Sequence, residues 1–221
     1  MVNYGIITKI IGQLLFIEAL MMMVCLGTSF FYAEDDVLSF LISMLVTMVG
    51  GLLFRYAGRN ADNRLSRRDA YLVVTATWII FSFFGMLPYL IGGYIPNVCD
   101  AYFETMSGFT TSGASILDDV EHMPHGILFW RSMTQWIGGL GIVFFTIAIL
   151  PSIVGGSMKV FAAEATGPIK SKLHPRLSTS AKWIWSIYTM LTIACFAAFA
   201  VAGMGLYDSV NYSMTTTATG G

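Results

Sequence analysis

The chain has 221 residues, of which 56% are hydrophobic and only 11% charged, with a formal net charge of −1; soluble domains carry roughly 25% charge, enough to wet a globular surface. With a mean hydropathy of +0.69, this composition excludes disorder, a secreted disulfide scaffold and an ordinary soluble enzyme, and favours helices in lipid. A near-neutral chain offers nucleic acid no basic field, and Cys25, Cys99 and Cys195 are too scattered for a disulfide framework or a metal site.

Spanning a bilayer by helix takes about 20 apolar residues. Five charge-poor runs predict five spans: residues 10–33, interrupted only by Glu18, then 37–54, 70–99, 132–158 and 183–207. The first is too long for a signal-peptide core and lacks a small-residue cleavage site. All 12 Lys and Arg except Arg131 precede the first run or fill the second and fourth connections: Lys9; Arg55, Arg59, Arg64, Arg67 and Arg68; Lys159, Lys170, Lys172, Arg176 and Lys182. The other connections are acidic, with Glu34, Asp35 and Asp36, then Asp100, Glu104, Asp118, Asp119 and Glu121. The bias of basic residues to the cytoplasmic side places the amino terminus inside and the acidic loops outside. The basic segments read as topology signals, a docking surface for a cytosolic partner being the alternative. In residues 151–182, Pro168 and Pro175 break any long helix, which predicts short helical pieces near the membrane surface.

Between the third span, ending near Gly93, and the fourth, starting near Gly126, the chain begins and ends on the acidic side. Residues 98–109 are helix-compatible, but twelve residues at about 1.5 Å each cannot cross a core of about 30 Å. This helix enters the membrane and returns. Thr110, Thr111, Ser112, Gly113, Ala114 and Ser115 follow, a run with no bulky side chain. Irregular backbone at membrane depth is tolerated only inside protein or beside a water-filled path. Its carbonyls, freed from helical bonding, can replace the water shell of a cation, and the short helix points its negative end at the ion. Glycine lets the backbone turn those carbonyls through conformations closed to other residues.

An ordinary Ser/Thr/Gly loop would read the same way from one copy, but there is a second. Residues 206–216 again follow a span on its acidic side and run into Thr217, Ala218, Thr219, Gly220 and Gly221. Superposing Gly113 on Gly220 puts Thr110 on Thr217, Ser112 on Thr219 and Trp78 on Trp185, a spacing of about 107 residues. The expected architecture is a parallel repeat of helix, pore segment, helix about an axis along the membrane normal.

Three stretches, FETMSGFTTSGASIL (103–117), WRSMTQWIGGLGI (130–142) and TTTATGG (215–221), carry a specific resemblance: the chain resembles the membrane subunit of Trk-type potassium uptake systems, in the superfamily that includes the Ktr and plant HKT transporters. The resemblance covers essentially the whole chain. It implies an all-α integral membrane protein in which four such repeats, arranged with pseudo-fourfold symmetry, each give one filter strand, preceded by an amino-terminal helical hairpin. On that pattern, residues 1–68 are the hairpin with its basic loop and 69–150 the first repeat. Residues 151–181 are a cytoplasmic connection, and 182–221 the first helix and truncated pore segment of the second repeat. One and a half repeats make a fragment the expected reading, with the gate and remaining repeats outside this chain.

The resemblance further implies a potassium filter at Thr110, Thr111, Ser112 and Gly113 and at Thr217, Ala218, Thr219 and Gly220. These would act through backbone carbonyls, with a threonine hydroxyl as a further ligand. A single shared glycine per strand implies looser selectivity than a TVGYG strand. It also implies no cofactor, potassium as the transported ion and residence in a bacterial plasma (inner) membrane. The implied partners are a second copy in a homodimer and a cytosolic, TrkA-like nucleotide-binding regulatory subunit. Other monovalent-cation channels and cation-coupled secondary transporters are the alternatives.

Gly138, Gly139 and Gly141 lie in a span, so close helix packing is favoured over a nucleotide loop. Arg131 either snorkels to headgroups or pairs with a carboxylate such as Glu104. Glu18 is expected to make a buried polar contact, since the family's hairpin lies outside the pore. Asp118, Asp119 and Glu121 read as solvated loop charges that also concentrate cations at the mouth, and His122 with His125 is too weak a pattern for a metal site. Ser112 with histidines nearby evokes an intramembrane serine protease. Those histidines lie ten to thirteen residues on, in a hydrophilic loop that cannot hold a base rigidly.

Overall fold

The computed structural model describes residues 2–61, 67–117, 119–120, 122–141 and 177–220, and among them all regular secondary structure is helical. Helix α1 (Tyr4–Tyr32) opens on Asn3, whose side chain accepts from the Ile6 N–H at 3.2 Å. It closes through Ala33 in the left-handed region, φ 54°. Its buried stripe includes Ile11, Leu15, Glu18, Met22, Cys25 and Ser29, spaced three and four apart. Helix α2 (Val37–Ala57) returns alongside. Its buried face combines Phe40 and Met44 with small or polar residues, Ser39, Ser43, Thr47, Gly50 and Gly51, while Leu38, Leu45, Leu52 and Leu53 are exposed. That arrangement suits lipid, where close backbone approach replaces the hydrophobic effect between helices. A Cβ on Gly12 would lie 2.8 Å from the Gly51 carbonyl oxygen, and one on Gly58 2.6 Å from the Lys9 nitrogen. The buried hydroxyls of Ser43 and Thr47 donate to carbonyls one turn back, of Ser39 and Ser43.

Helix α3 (Arg67–Gly85) runs into the short α4 (Leu87–Ile91), and the break has a local cause. Pro88 has no N–H to give the helix, and the Tyr89 N–H turns to the Met86 carbonyl at 3.1 Å. The Gly85 carbonyl, which Tyr89 would serve in a continuous helix, instead accepts the indole N–H of the fully buried Trp130 at 2.9 Å. Helix α5 (Val98–Phe109) then starts on Asn97, whose side chain accepts from the Cys99 N–H at 2.9 Å. Helix α6 starts at residue 125 and is described to 141. Helix α7 (Leu177–Val201) and α8 (Leu206–Thr217) complete the described chain.

Four stretches are long and apolar enough to cross a membrane: Tyr4–Tyr32, Val37–Ala57, Tyr71–Ile91 and Trp183–Val201. The fourth expected run, 132–158, is described only to 141, and the connection 151–181 lies outside the described residues up to the start of α7. α5 has the expected bounds, while α8 runs one residue beyond the expected 206–216.

At the acidic end, the α1–α2 turn is bound to the start of α6. The Glu34 carboxylate accepts the His125 backbone N–H at 2.6 Å and meets its Nδ1 at 2.7 Å. Tyr32 stacks on the His125 ring at 3.9 Å, and the Tyr207 hydroxyl of α8 donates to the His125 carbonyl. Asp36 is buried beside Gly126, where a Cβ would collide with its Oδ2 and with Ser29 Oγ. Burial, ahead of all other influences, holds its carboxyl above the usual aspartate range.

Candidate ion-filter site

Helices α5 and α8 end identically. After α5, Thr110 caps, Thr111 turns to φ 56°, the Thr111 N–H donates to the Gly108 carbonyl and the Ser112 N–H to the Ser107 carbonyl. After α8, Ala218 caps, Thr219 turns to φ 58°, and the Thr219 and Gly220 N–H groups donate to Thr216 and Thr215. This is the Schellman pattern, whose left-handed position is ordinarily glycine. A β-branched residue there is a genuine outlier, costing about 1–2 kcal/mol. Such strain persists only where the surroundings over-determine it, commonly at functional sites.

These equivalences correct the sequence register. The helices, caps and left-handed threonines all repeat at 108 residues, as Val98 to Leu206 and Thr111 to Thr219 show. The expected spacing of 107 is one short, because Gly113 was laid on the first of two adjacent glycines. Thr217 is therefore the last residue of α8, equivalent to Phe109, and Thr110, Thr111 and Ser112 correspond to Ala218, Thr219 and Gly220. At this spacing Trp185 falls opposite Thr77, so the Trp78 match was coincidental.

The first strand is braced from behind. Ser107 Oγ lies 2.9 Å from Ser112 Oγ and donates to the Ala114 carbonyl. The buried Glu104 accepts from Ser115 Oγ at 3.1 Å and from the Ile116 N–H at 3.0 Å. Arg131 Nε donates to Glu104 at 2.7 Å, so of its two readings the structure shows pairing. With its polar side on this brace, the strand presents its other side unbonded. Among the described residues, no hydrogen bond ends on the carbonyl oxygens of Thr110, Thr111, Ser112 or Gly113, nor on those of Ala218, Thr219 or Gly220. Gly113, at φ 72°, abuts the second strand: a Cβ there would collide with the Gly220 carbonyl oxygen. The two strands thus lie side by side at the negative ends of two helices.

Helix α6 threads between them. A Cβ on Gly138 would collide with the Phe109 carbonyl, and one on Gly139 would lie 3.3 Å from Ala218 Cα, while Gly141 makes only ordinary contact with Trp78. Packing is the role of the first two glycines. The Tyr188 hydroxyl of α7 donates to the Trp136 carbonyl at 3.0 Å, and the Trp136 indole to Thr192 Oγ1 at 3.0 Å.

The remaining sequence candidates fall away from the strands. Glu18 is buried near Gly85 and the pore helix, but both its oxygens are unpartnered among the described residues, so the expected polar contact is absent there. His122 meets Asp119 at 2.6 Å and His125 meets Glu34, leaving neither on Ser112. Among the described residues no group of His, Cys, Asp and Glu has metal-binding geometry. Asp118 and Glu121 lie outside the described residues. Sequence reasoning missed Ser107, the left-handed threonines and Gln135. A serine on a pore helix carries no local signal of what it faces.

Residues 38–220 match the family described as TrkH, cation transport protein. The chain is 36% identical over 217 residues to a Trk system potassium uptake protein TrkH of Halomonas elongata, covering 97% of this chain and 45% of that protein. It is 35% identical to the Escherichia coli K12 protein of the same name, over 99% of this chain and 46% of that one. The crystal structure of the potassium transporter TrkH from Vibrio parahaemolyticus superposes with a TM-score of 0.80 at 32% identity, over 97% of this chain and 42% of that one. The chain thus spans under half the length of these relatives. With the family model matching residues 38–220, most of its length, the chain belongs to the TrkH family of cation transport proteins.

Proposed function

We propose that this chain contributes to potassium uptake across a bacterial plasma membrane, with Thr110 to Gly113 and the strand of Ala218, Thr219 and Gly220 as two segments of a carbonyl-lined filter. The observation that carries it is the set of backbone carbonyls on both strands that no donor among the described residues serves, beside two helix ends of negative polarity. Relatives named as potassium uptake proteins supply the ion. Membrane potential suffices to drive entry, at about 2.3 kcal/mol per charge per 100 mV. From the resemblance we add a homodimer and a cytosolic nucleotide-binding regulatory subunit as partners, the remaining filter strands coming from further repeats. No step of this reading is enzymatic.

The test is sodium competition against rubidium uptake in cells expressing the transporter in full. Gly113→Ser forces a side chain onto φ 72° and into the Gly220 carbonyl. At about 1–2 kcal/mol of strain, it should lower potassium-over-sodium discrimination roughly tenfold. Asp119→Asn should leave ion preference intact, because an exposed loop charge acts through screened solvent. Unchanged discrimination in Gly113→Ser at normal protein levels removes the filter assignment. Orientation is tested separately. A cysteine at position 59, in the basic turn after α2, should react with impermeant reagent only from the cytoplasm, and one at position 119 only from outside. External labelling at 59 inverts the topology.

A further inference from the structure

Gln135 lies on α6 one turn beyond Arg131, and it is buried with an oxygen, Oε1, that has no hydrogen-bond donor among the described residues. It belongs to the close-packed polar cluster behind the first strand, with Glu104, Ser107, Ala114, Arg131 and Thr134. Its other contact is the second strand. A Cβ built on Gly220 would lie 2.5 Å from Gln135 Oε1, 2.8 Å from its Cδ and 3.3 Å from its Cγ. All three of the nearest atoms belong to Gln135, and the Gly220 backbone is not in the left-handed region. A side chain at 220 would therefore meet this one residue, which would have to shift, and it would not be opposed by backbone conformation.

Two further facts make this more than packing. At the 108-residue spacing, the position of Glu104 in the first repeat is held by Tyr212 in the second, and Tyr212 is 54% exposed, so the second pore helix carries no buried acid to brace its strand. An aliphatic side chain would also fill the space at 135 without the penalty of an enclosed, unpaired oxygen. We propose that Gln135 is a positioning residue for ion selectivity, wedged between the polar cluster behind the first strand and Gly220 of the second, and setting how closely the two strands approach.

This rests on the carbonyl-filter reading above, and the experiment separates the two. Rubidium uptake and its inhibition by sodium are measured for the transporter expressed in full, as wild type, Gln135→Met, Gln135→Glu, Gly220→Ala and Gln135→Ala/Gly220→Ala. Gln135→Met keeps volume and removes the polar group; it should reach normal protein levels yet need about tenfold less sodium for half-inhibition, a change of about 1.4 kcal/mol in the preference between the two ions. Gln135→Glu keeps an oxygen in place and should retain at least half of the discrimination. Gly220→Ala alone should lose selective uptake, and trimming position 135 in the double variant should restore it at least several-fold, since the obstructing atoms are gone. Wild-type discrimination in Gln135→Met, or a double variant no better than Gly220→Ala, overturns the role of Gln135 while leaving the filter standing. Wild-type uptake indifferent to sodium and potassium alike overturns the filter reading itself.

Discussion

Thr111 and Thr219 adopt a conformation that local preference would assign to glycine. What holds Thr111 there is the bracing of the residues after it: Ser107 fixes Ser112 and Ala114, and Glu104 fixes Ser115 and Ile116. Arg131 in turn neutralises Glu104, and the pair is largely enclosed, with side-chain exposures of 19% and 3%. Removing one partner of such a pair leaves a buried charge, a loss of about 3–5 kcal/mol, whereas removing both is far milder. Glu104→Gln should therefore lower the thermal midpoint of detergent-purified protein sharply, and Glu104→Gln/Arg131→Met should recover much of it. Additive losses in the double variant would show that the two side chains act independently. Arg131 was legible in the sequence as an oddity, the one basic residue off the basic segments. Its partner remained open until the fold brought residues 104 and 131 together.

At the scale of elements, the break between α3 and α4 shows how a local defect becomes a tertiary contact. Pro88 predicts a distortion from sequence alone, but the fate of the orphaned carbonyl depends on an indole 45 residues away. Trp130→Phe keeps the aromatic packing against Phe109 and deletes only the donor. It should cost about 1–3 kcal/mol by leaving the Gly85 carbonyl unsatisfied, read as a lowered unfolding midpoint with helical content unchanged. No measurable loss would mean that another donor takes over the carbonyl. The pore helices were the most legible elements, because each is a helix-compatible segment of about twelve residues, too short to cross a bilayer core, between a span and a Thr/Ser/Gly run. Their mutual register was not. Two adjacent glycines admit two alignments, and only the matched caps and left-handed turns select the 108-residue spacing.

For the whole molecule, the hairpin is bound to both repeats at its acidic end through Tyr32, Glu34 and Asp36. Asp36 is the least comfortable member, a buried carboxyl for which desolvation outweighs the neighbouring Ser29 hydroxyl. Folding raises its pKa, chiefly through burial, so the folded protein binds its proton more tightly than the unfolded chain. The stabilisation is complete below the unfolded value of about 3.9 and is lost as pH rises through the raised folded value. Asp36→Asn removes this dependence. Its thermal midpoint should exceed that of wild type at neutral pH, with the difference closing toward pH 4; a difference that widens on acidification would show that the carboxylate is stabilising.

Sequence alone determined the membrane class, the long apolar spans, the short pore helices and the Thr/Ser/Gly strands, because composition, span length and charge partition are properties of local segments read against fixed bilayer dimensions. Tertiary structure decided the register of the second strand, the pairing of Arg131 with Glu104, the indole on the Gly85 carbonyl and the contact of Gln135 with Gly220. Each of these joins residues separated by 27 positions or more, or selects between alignments one residue apart. Helical periodicity and charge patterning carry no information about which distant face a side chain meets, so the matched helix ends fixed the register and the packing of α6 between the two pore helices fixed the contacts.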